Sequence, residues 1–282
     1  MNVEQLQTTR SVADKVFRAV CVGCVGLALV PLASVLYYVI ARGIGGLSWA
    51  FFTALPGPVG EPGGGMANAL VGSLELVALA GVIGIPVGIM AGVYLAEFAG
   101  EGRLGKAVRF SADVVSGVPS ITIGIFVYGL MVVGMQRFSA LAGAVALALL
   151  MLPTVTRTTE ELLRMVPQSL REAAFGLGVP RWRTTLKIVL RTAAPGIATG
   201  VMLAVARVAG ETAPLLFTAF NNRYWASYLD EPIASLPVQI YTYAVSPYEE
   251  WHQQAWAASL VLVTLVLVMN VAARALVKNR VR

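Results

Sequence analysis

Long runs of apolar residues, separated by short polar segments, dominate the chain. Most of these runs are about 20 residues long, which is the length of helix that crosses the ~30 Å hydrocarbon core of a bilayer. They do not alternate between apolar and polar positions as barrel strands do, and a helix satisfies its own backbone hydrogen bonds in lipid. The pattern predicts an all-α membrane protein with six spans, at about Val16–Ile40, Ala69–Leu95, Val114–Met135, Leu141–Val155, Ala194–Phe220 and Ala255–Val277.

Composition supports the same class of protein. Of the 282 residues, 57% are hydrophobic and 13% are charged, and the mean hydropathy is +0.74. A soluble domain of this length carries about twice that fraction of charge. We therefore expect a short cytoplasmic N-terminal segment at residues 1–15 and a single transmembrane domain at residues 16–282.

The distribution of basic residues predicts the orientation. Most of the 21 lysine and arginine residues lie in the N-terminal segment, the loop after the second span, the loop after the fourth span and the C-terminus. The opposite side holds only Arg42, Arg137 and Arg223. Because cytoplasmic loops are enriched in lysine and arginine, both termini are predicted to be cytoplasmic. Topology thus explains the sequence pI of about 9.5, and no nucleic-acid partner is expected.

Three short motifs do not carry chemistry here. The stretch GEGRLGKA (Gly100–Ala107) lacks the Ser or Thr of a phosphate-binding loop and follows a membrane span, not a strand. Cys21 and Cys24 have redox spacing but lie within an apolar run, where we expect buried thiols. His252, the single histidine, has no companion metal ligands. The chain is therefore expected to hold no metal or cofactor, and an intramembrane enzyme is a minor alternative.

Two charges interrupt the fifth apolar run, at Arg207 and Glu211. Their i, i+4 spacing allows their side chains to meet on one helix, on the side of Gly200 and Ala204 that should face the protein. A charge at mid-span is costly and usually faces a cavity or a partner. The pair either braces the bundle or lines a polar path for an anion, because an arginine fork matches an oxyanion. The candidate pathway residues are Arg207, Glu211 and the adjoining Thr212.

Glu75 places a further ionisable group in the second span. It either lines the pathway or is paired locally, and the sequence favours local pairing slightly.

The longest inner loop, at about residues 157–192, contains the second functional signal. The stretch Pro167–Ile197, which continues from this loop into the next span, predicts two short helices that separate near Gly178–Pro180. A small surface at Ala173 and Ala174, flanked by charges, suits docking into a groove of a cytoplasmic partner. The alternative is an amphipathic helix on anionic lipid. Spacing alone does not decide between the two.

The loop resembles the cytoplasmic loop of ABC-importer permeases, which has the pattern E-A-A, three residues, G, nine residues, I-x-L-P. The matching residues are Glu172, Ala173, Ala174, Gly178, Ile188 and Leu190, with Arg191 in place of the final proline. Further segments resemble the A-subunit permeases of phosphate-specific ABC importers. They are ARVAGETAPLLFTAF (Ala206–Phe220), GIMAGVYLAEF (Gly88–Phe98), VPSITIGIFVYG (Val118–Gly129), RTTEELLRMVPQSLREAA (Arg157–Ala174) and SPYEEWHQQAWAASLVLV.

This resemblance implies a type I importer fold and a multi-pass subunit of the bacterial inner membrane that moves inorganic phosphate into the cytoplasm. It implies a second, C-type permease, two ABC ATPases that bind ATP and Mg²⁺, and a periplasmic or lipid-anchored phosphate-binding protein, with membrane lipid around the bundle. The ATPase coupling residues would be Arg171, Glu172, Ala173, Ala174 and Gly178. A permease for sulfate or molybdate is the main alternative.

Overall fold

The fold is almost entirely helical. A computed structural model describes residues 3–58, 63–100 and 102–280, in which an isolated β-bridge pairs Pro56 with Gly64. The prediction of an all-α fold is confirmed. The helices are α1 (Val3–Gly43), α2 (Trp49–Thr53), α3 (Ala67–Glu97), α4 (Arg103–Gly117), α5 (Ser120–Val127), α6 (Val133–Met135), α7 (Ala140–Met165), α8 (Gln168–Gly176), α9 (Arg181–Thr184), α10 (Leu190–Ala209), α11 (Ala213–Thr218), α12 (Leu236–Ala244) and α13 (Glu249–Arg280).

Several of these helices join into longer rods. A π-helical turn at Tyr128–Val132 continues α5 into α6, and a second at Thr185–Val189 continues α9 into α10. Within the described residues, five helices are long and apolar enough to cross a membrane. They are Ala13–Gly46, Ala67–Glu97, Ala140–Met165, Arg181–Ala209 and Glu249–Ala272.

A sixth span is present if α4 and the rod Ser120–Met135 are counted as one bent unit. The two meet at an angle of 106°. The bend lies at Val118, whose backbone is extended, and Pro119, which cannot donate a backbone hydrogen bond. The apolar rod of this region therefore begins at Ser120, six residues later than the run at Val114 suggested.

The core of the bundle is the contact between α3 and α7. Gly84, Gly88 and Gly92 are buried on one stripe of α3. A Cβ at Gly88 would lie 2.8 Å from Val155 Cβ, and one at Gly92 would lie 2.7 Å from the carbonyl oxygen of Thr156. The repeating glycines thus let the two backbones approach closely, as the four-residue spacing predicts.

A neighbouring side of α7 packs against α10. An added Cβ at Gly200 would lie 2.2 Å from Thr158 Cγ2, so this crossing also depends on a glycine. Ala204 and Val208 of α10 join Leu147 and Met151 of α7 in one buried cluster. α7 is therefore enclosed by α3 and α10 along most of its length.

α7 also extends farther than its apolar run. It continues through Arg157 to Met165, so the first nine residues of the expected inner loop belong to this helix. The separation expected near Gly178–Pro180 is found there, between α8 and α9.

α1 lies at the periphery. Its most apolar 18-residue window has no residues buried within the chain. The helix meets α13 near its end, where Val39 is buried and an added Cβ at Gly43 would lie 2.8 Å from Leu260 Cβ. Cys21 and Cys24 are exposed on α1, so the expectation that both thiols are buried is wrong. The helix begins at Val3, which makes most of the expected N-terminal segment helical; residues 1 and 2 lie outside the described residues.

The α3–α7 contact predicts the effect of a minimal substitution. Gly92→Ala places a methyl group against the Thr156 carbonyl and should lower the free energy of unfolding by about 1–3 kcal/mol, the usual cost of overpacking. The measurement is denaturant unfolding of the purified chain in detergent. Gly26→Ala is the matched control, because no atom lies within 4 Å of a Cβ at Gly26. Equal stability of the two variants would contradict the close approach of α3 and α7.

Candidate functional site

Arg207 and Glu211 lie at a break in the helical backbone. α10 ends at Ala209 and α11 begins at Ala213, so the residues between them are not helical. The predicted span Ala194–Phe220 therefore consists of two helices with a break between them. Pro214, near the start of α11, has no N–H to donate to the carbonyl of Gly210, which accounts for the interruption.

The two side chains form a loose ion pair. Arg207 Nε lies 4.0 Å from Glu211 Oε1, and the side chains are 58% and 18% exposed. At this distance most of the guanidinium N–H groups are not committed to the carboxylate. Thr212, the third candidate, is partly exposed at the position before α11, and its carbonyl oxygen accepts hydrogen bonds from Leu215 and Leu216.

Within this chain Glu211 is largely buried, whereas the side chain of Arg207 is exposed. On a helical wheel Arg207 lies at the edge of the buried stripe formed by Gly200, Ala204 and Val208. Its long side chain extends away from that stripe and reaches the surface of the chain. Because Ala204 and Val208 pack against the middle of α7, the guanidinium lies at mid-height of the bundle.

Glu75 has no local partner among the residues that the structure describes. It is partly exposed on α3, and it forms no hydrogen bond or ion pair with another residue in the described ranges. The slight preference for local pairing is therefore not supported by the geometry.

A buried ion pair anchors α8 to one end of the bundle. Arg171 Nη2 lies 2.6 Å from Glu97 Oε1, at the end of α3, with the two side chains only 12% and 7% exposed. The same guanidinium donates to the carbonyl oxygens of Val166, at 2.6 Å, and Leu163, at 2.8 Å. Arg171 was expected to flank a docking surface, but it faces inward and ties α8 to α3 and α7.

The outer face of α8 presents the other candidate residues. Glu172 and Ala173 are exposed, whereas Ala174 is buried against the bundle. Gly178, which follows α8, has a φ of +74°, a conformation that side chains other than glycine adopt at a cost. Leu177 beside it is 84% exposed. Together these residues form an exposed tip that a partner could cover.

A second ionic cluster lies at the same end of the bundle. Glu160 of α7 is almost fully buried, and its Oε1 is 2.7 Å from Arg109 Nε and 2.8 Å from Arg164 Nη2. Arg157 also approaches this carboxylate, at 3.6 Å, and pairs with Asp113 of α4. The cluster therefore ties α4 to α7, just as Arg171 ties α8 to α3.

The acidic members of both clusters were not among the candidate residues predicted from the sequence. Glu97 ends a span and Glu160 lies one turn from two arginines in sequence, Arg157 and Arg164. An acidic residue at the inner end of a span, close to many basic residues, was the available signal. Asp113 lies in the same basic region and carries the same signal.

Comparison with known proteins places this geometry in a family. Residues 84–282 match the family described as "Binding-protein-dependent transport system inner membrane component". The chain is 49% identical to the phosphate transport system permease protein PstA of Yersinia pestis over 240 residues, which are 85% of this chain and 81% of that protein. It is 42% identical to the PstA protein of Pasteurella multocida, over 94% of each chain.

A solved structure shows the same fold. An inward-facing MetNI methionine ABC transporter chain superimposes with a TM-score of 0.62 at 20% identity, over 76% of this chain and 96% of that one. At this identity the match establishes the helical architecture of a type I ABC importer permease.

The anchor of α8 generates a prediction. Glu97→Gln removes the counter-charge of a buried guanidinium, and breaking a buried pair in this way costs about 3–5 kcal/mol. We expect α8 to detach more often, so its backbone amides should exchange with deuterium faster, as measured by mass spectrometry. Glu161→Gln, which alters an exposed acid at the same end of the bundle, is the control. The same exchange rates in both variants would contradict the anchoring role.

Proposed function

The chain belongs to the family of binding-protein-dependent transport system inner membrane components, within the group of PstA-type permeases, and on this basis we propose that it carries inorganic phosphate across the membrane. It is the membrane-spanning subunit of an ATP-driven importer and is not itself an enzyme. The observation that supports phosphate as the substrate is its similarity, over most of the chain, to phosphate transport system permeases.

Arg207 is the proposed contact for the anion. A guanidinium offers five N–H donors in a planar fork that matches the oxygens of a phosphate. The loose pairing at 4.0 Å leaves those donors available, and the exposed side chain reaches the surface at mid-height of the bundle. A second permease placed against this surface would complete the path.

Glu211 limits how strongly the site holds phosphate. The carboxylate of Glu211 lies beside the guanidinium and repels an anion that pairs with it. This repulsion favours release, which transport requires as much as binding. The hydroxyl of Thr212, at the same break in the backbone, is available as a further hydrogen-bond donor.

The energy for transport comes from partner subunits. We propose a second, C-type permease and two ABC ATPases that bind ATP and Mg²⁺, with a periplasmic or lipid-anchored phosphate-binding protein that delivers the substrate. The exposed tip of α8, at Glu172, Ala173, Leu177 and Gly178, docks into an ATPase. Closure of the ATPases then moves α8 as a unit with α3, because Arg171 is bonded to Glu97.

The basic end of the bundle faces the cytoplasm in this proposal. The two ionic clusters, α8 and the exposed residues Arg181, Arg183 and Lys187 all lie toward this end of the chain. An orientation with the positive end inside places both termini in the cytoplasm. It also directs α8 toward the compartment that contains ATP.

Arg207 is tested by removal of its charge. Arg207→Gln should abolish phosphate uptake into proteoliposomes that contain the whole transporter, because no fork remains to attract the anion, while the subunits still co-purify. Arg137→Gln is the control, since Arg137 is a similarly exposed arginine, at 55%, that pairs with Asp230 at the end of the bundle. Normal uptake by the Arg207 variant would exclude this role.

The role of Gly178 in docking is tested by a residue that disfavours its backbone conformation. Gly178→Val forces a β-branched residue into a left-handed conformation at a cost of about 1–2 kcal/mol or more, although no atom would clash with its Cβ. We expect phosphate uptake to fall at least several-fold while ATP hydrolysis becomes independent of transport. Gly176→Val, also free of clashes but without a positive φ, should retain more activity. If phosphate uptake and its dependence on ATP hydrolysis are the same in both variants, the turn at Gly178 has no part in docking.

A further inference from the structure

A cavity of about 440 Å³ lies where the ends of α3 and α7 meet α8 and the start of α9. Its polar lining consists of three arginines, Arg164, Arg171 and Arg181, together with Gln168 and a single acid, Glu97. The candidate transport site at Arg207 does not contribute to it. The transport role proposed for Arg207 therefore does not explain why this cavity is basic.

The acids near the cavity are already engaged. The carboxylate of Glu97 accepts hydrogen bonds from Nε and Nη2 of Arg171. Glu160, which approaches Arg164, is shared with Arg109 and Arg157. One carboxylate thus faces three guanidinium groups, so the positive charge of Arg164 is only partly balanced.

Arg181 is held in place but pairs with no carboxylate among the described residues. Its Nη2 donates to the backbone carbonyl of Glu97, and its guanidinium lies 5.2 Å from the centre of the Phe98 ring. These contacts fix the group at the mouth of the cavity and leave its remaining N–H donors available. Arg164 likewise has donors available, because its ion pair with Glu160, with Nη2 2.8 Å from Oε1, is its one polar contact among the described residues.

We propose that this cavity binds a phosphate group, with Arg164 and Arg181 as the paired forks and the Gln168 amide as a further donor. Two guanidinium groups that are incompletely neutralised suit a compact oxyanion with several acceptor oxygens. The volume admits inorganic phosphate with water, and it also admits the headgroup of an anionic phospholipid. Phe175 lines the cavity, Phe98 lies beside Arg181, and both rings are exposed, which is compatible with the lipid as the source.

Binding here affects the part of the chain that contacts the ATPase. Arg164 is on α7, Gln168 begins α8 and Arg181 begins α9, so one bound anion bridges the elements on both sides of the coupling helix. Occupancy therefore restrains α8 relative to the bundle. The inference does not depend on which solute is transported, because the site is separate from Arg207.

The test measures binding to the membrane complex of both permeases and the ATPases, without the phosphate-binding protein, which would itself bind the labelled phosphate. In one arm, radiolabelled inorganic phosphate is titrated by equilibrium dialysis at fixed ionic strength, with and without Arg207→Gln. In the other arm, native mass spectrometry counts the phosphatidylglycerol molecules that remain bound after extraction from vesicles of phosphatidylglycerol and phosphatidylcholine. Phosphate binding that disappears with Arg207→Gln belongs to the transport path and does not support the cavity.

Arg181→Gln should weaken phosphate or phosphatidylglycerol binding at least tenfold. Arg183→Gln should leave it unchanged, because Arg183 lies over the Trp182 ring and does not line the cavity. If the Arg181 variant does not assemble, Gln168→Leu provides the same comparison. If Arg181→Gln weakens phosphate binding in the dialysis arm, free phosphate is the ligand. If it reduces the number of bound phosphatidylglycerol molecules, the lipid is the ligand. Absence of both kinds of binding, or equal effects of Arg181→Gln and Arg183→Gln, would overturn the proposal.

Discussion

The close approach of α7 to α3 and α10 is the constraint on which the rest of the structure depends. Lipid tails are as apolar as leucine, so membrane helices gain little from apolar burial and associate through close packing. Gly84, Gly88, Gly92 and Gly200 remove the side chains that would separate these helices. Once α3 and α7 are this close, their inner ends meet at one place. The buried ion pair of Glu97 and the carbonyl contacts of Arg171 become possible only there.

Charges in this chain fall into two classes that differ in how tightly they are paired. At the basic end, Glu97 and Glu160 make contacts of 2.6–2.8 Å with arginines and are almost completely buried. At mid-height, Arg207 and Glu211 are 4.0 Å apart and the arginine is exposed. Tight pairs suit a structural role, since burial without a partner is costly. The loose pair leaves donors free, which suits contact with a solute.

Much of the fold follows from local patterns in the sequence. Apolar runs indicated the membrane helices, the four-residue glycine repeat indicated the packing stripe of α3, and Gly178–Pro180 indicated the separation of α8 from α9. Helix ends were harder to predict, because α7 continues beyond its apolar run through polar positions that lie near the end of the bundle. The orientation of Arg171 could not be predicted, because its partner Glu97 is 74 residues away in sequence.

The exposure of Arg207 was also not predictable from local sequence patterns. Its position in the structure is nevertheless the strongest argument that it lines an anion path. The sequence indicated that Arg207 and Glu211 are unusual, but a helical wheel places Arg207 only at the edge of the buried stripe of α10, and the wheel does not show that its long side chain reaches the surface. Non-helical backbone at membrane depth is tolerated where it is buried in protein or lines a water-filled cavity. An exposed guanidinium at that depth requires the same surroundings. The break at Gly210–Thr212 and the side chain of Arg207 lie at the same level of the bundle. Both therefore require protein or a water-filled cavity next to them. Lipid would leave the backbone groups at the break and the guanidinium without polar surroundings, whereas a polar path between two permeases would provide these surroundings for both.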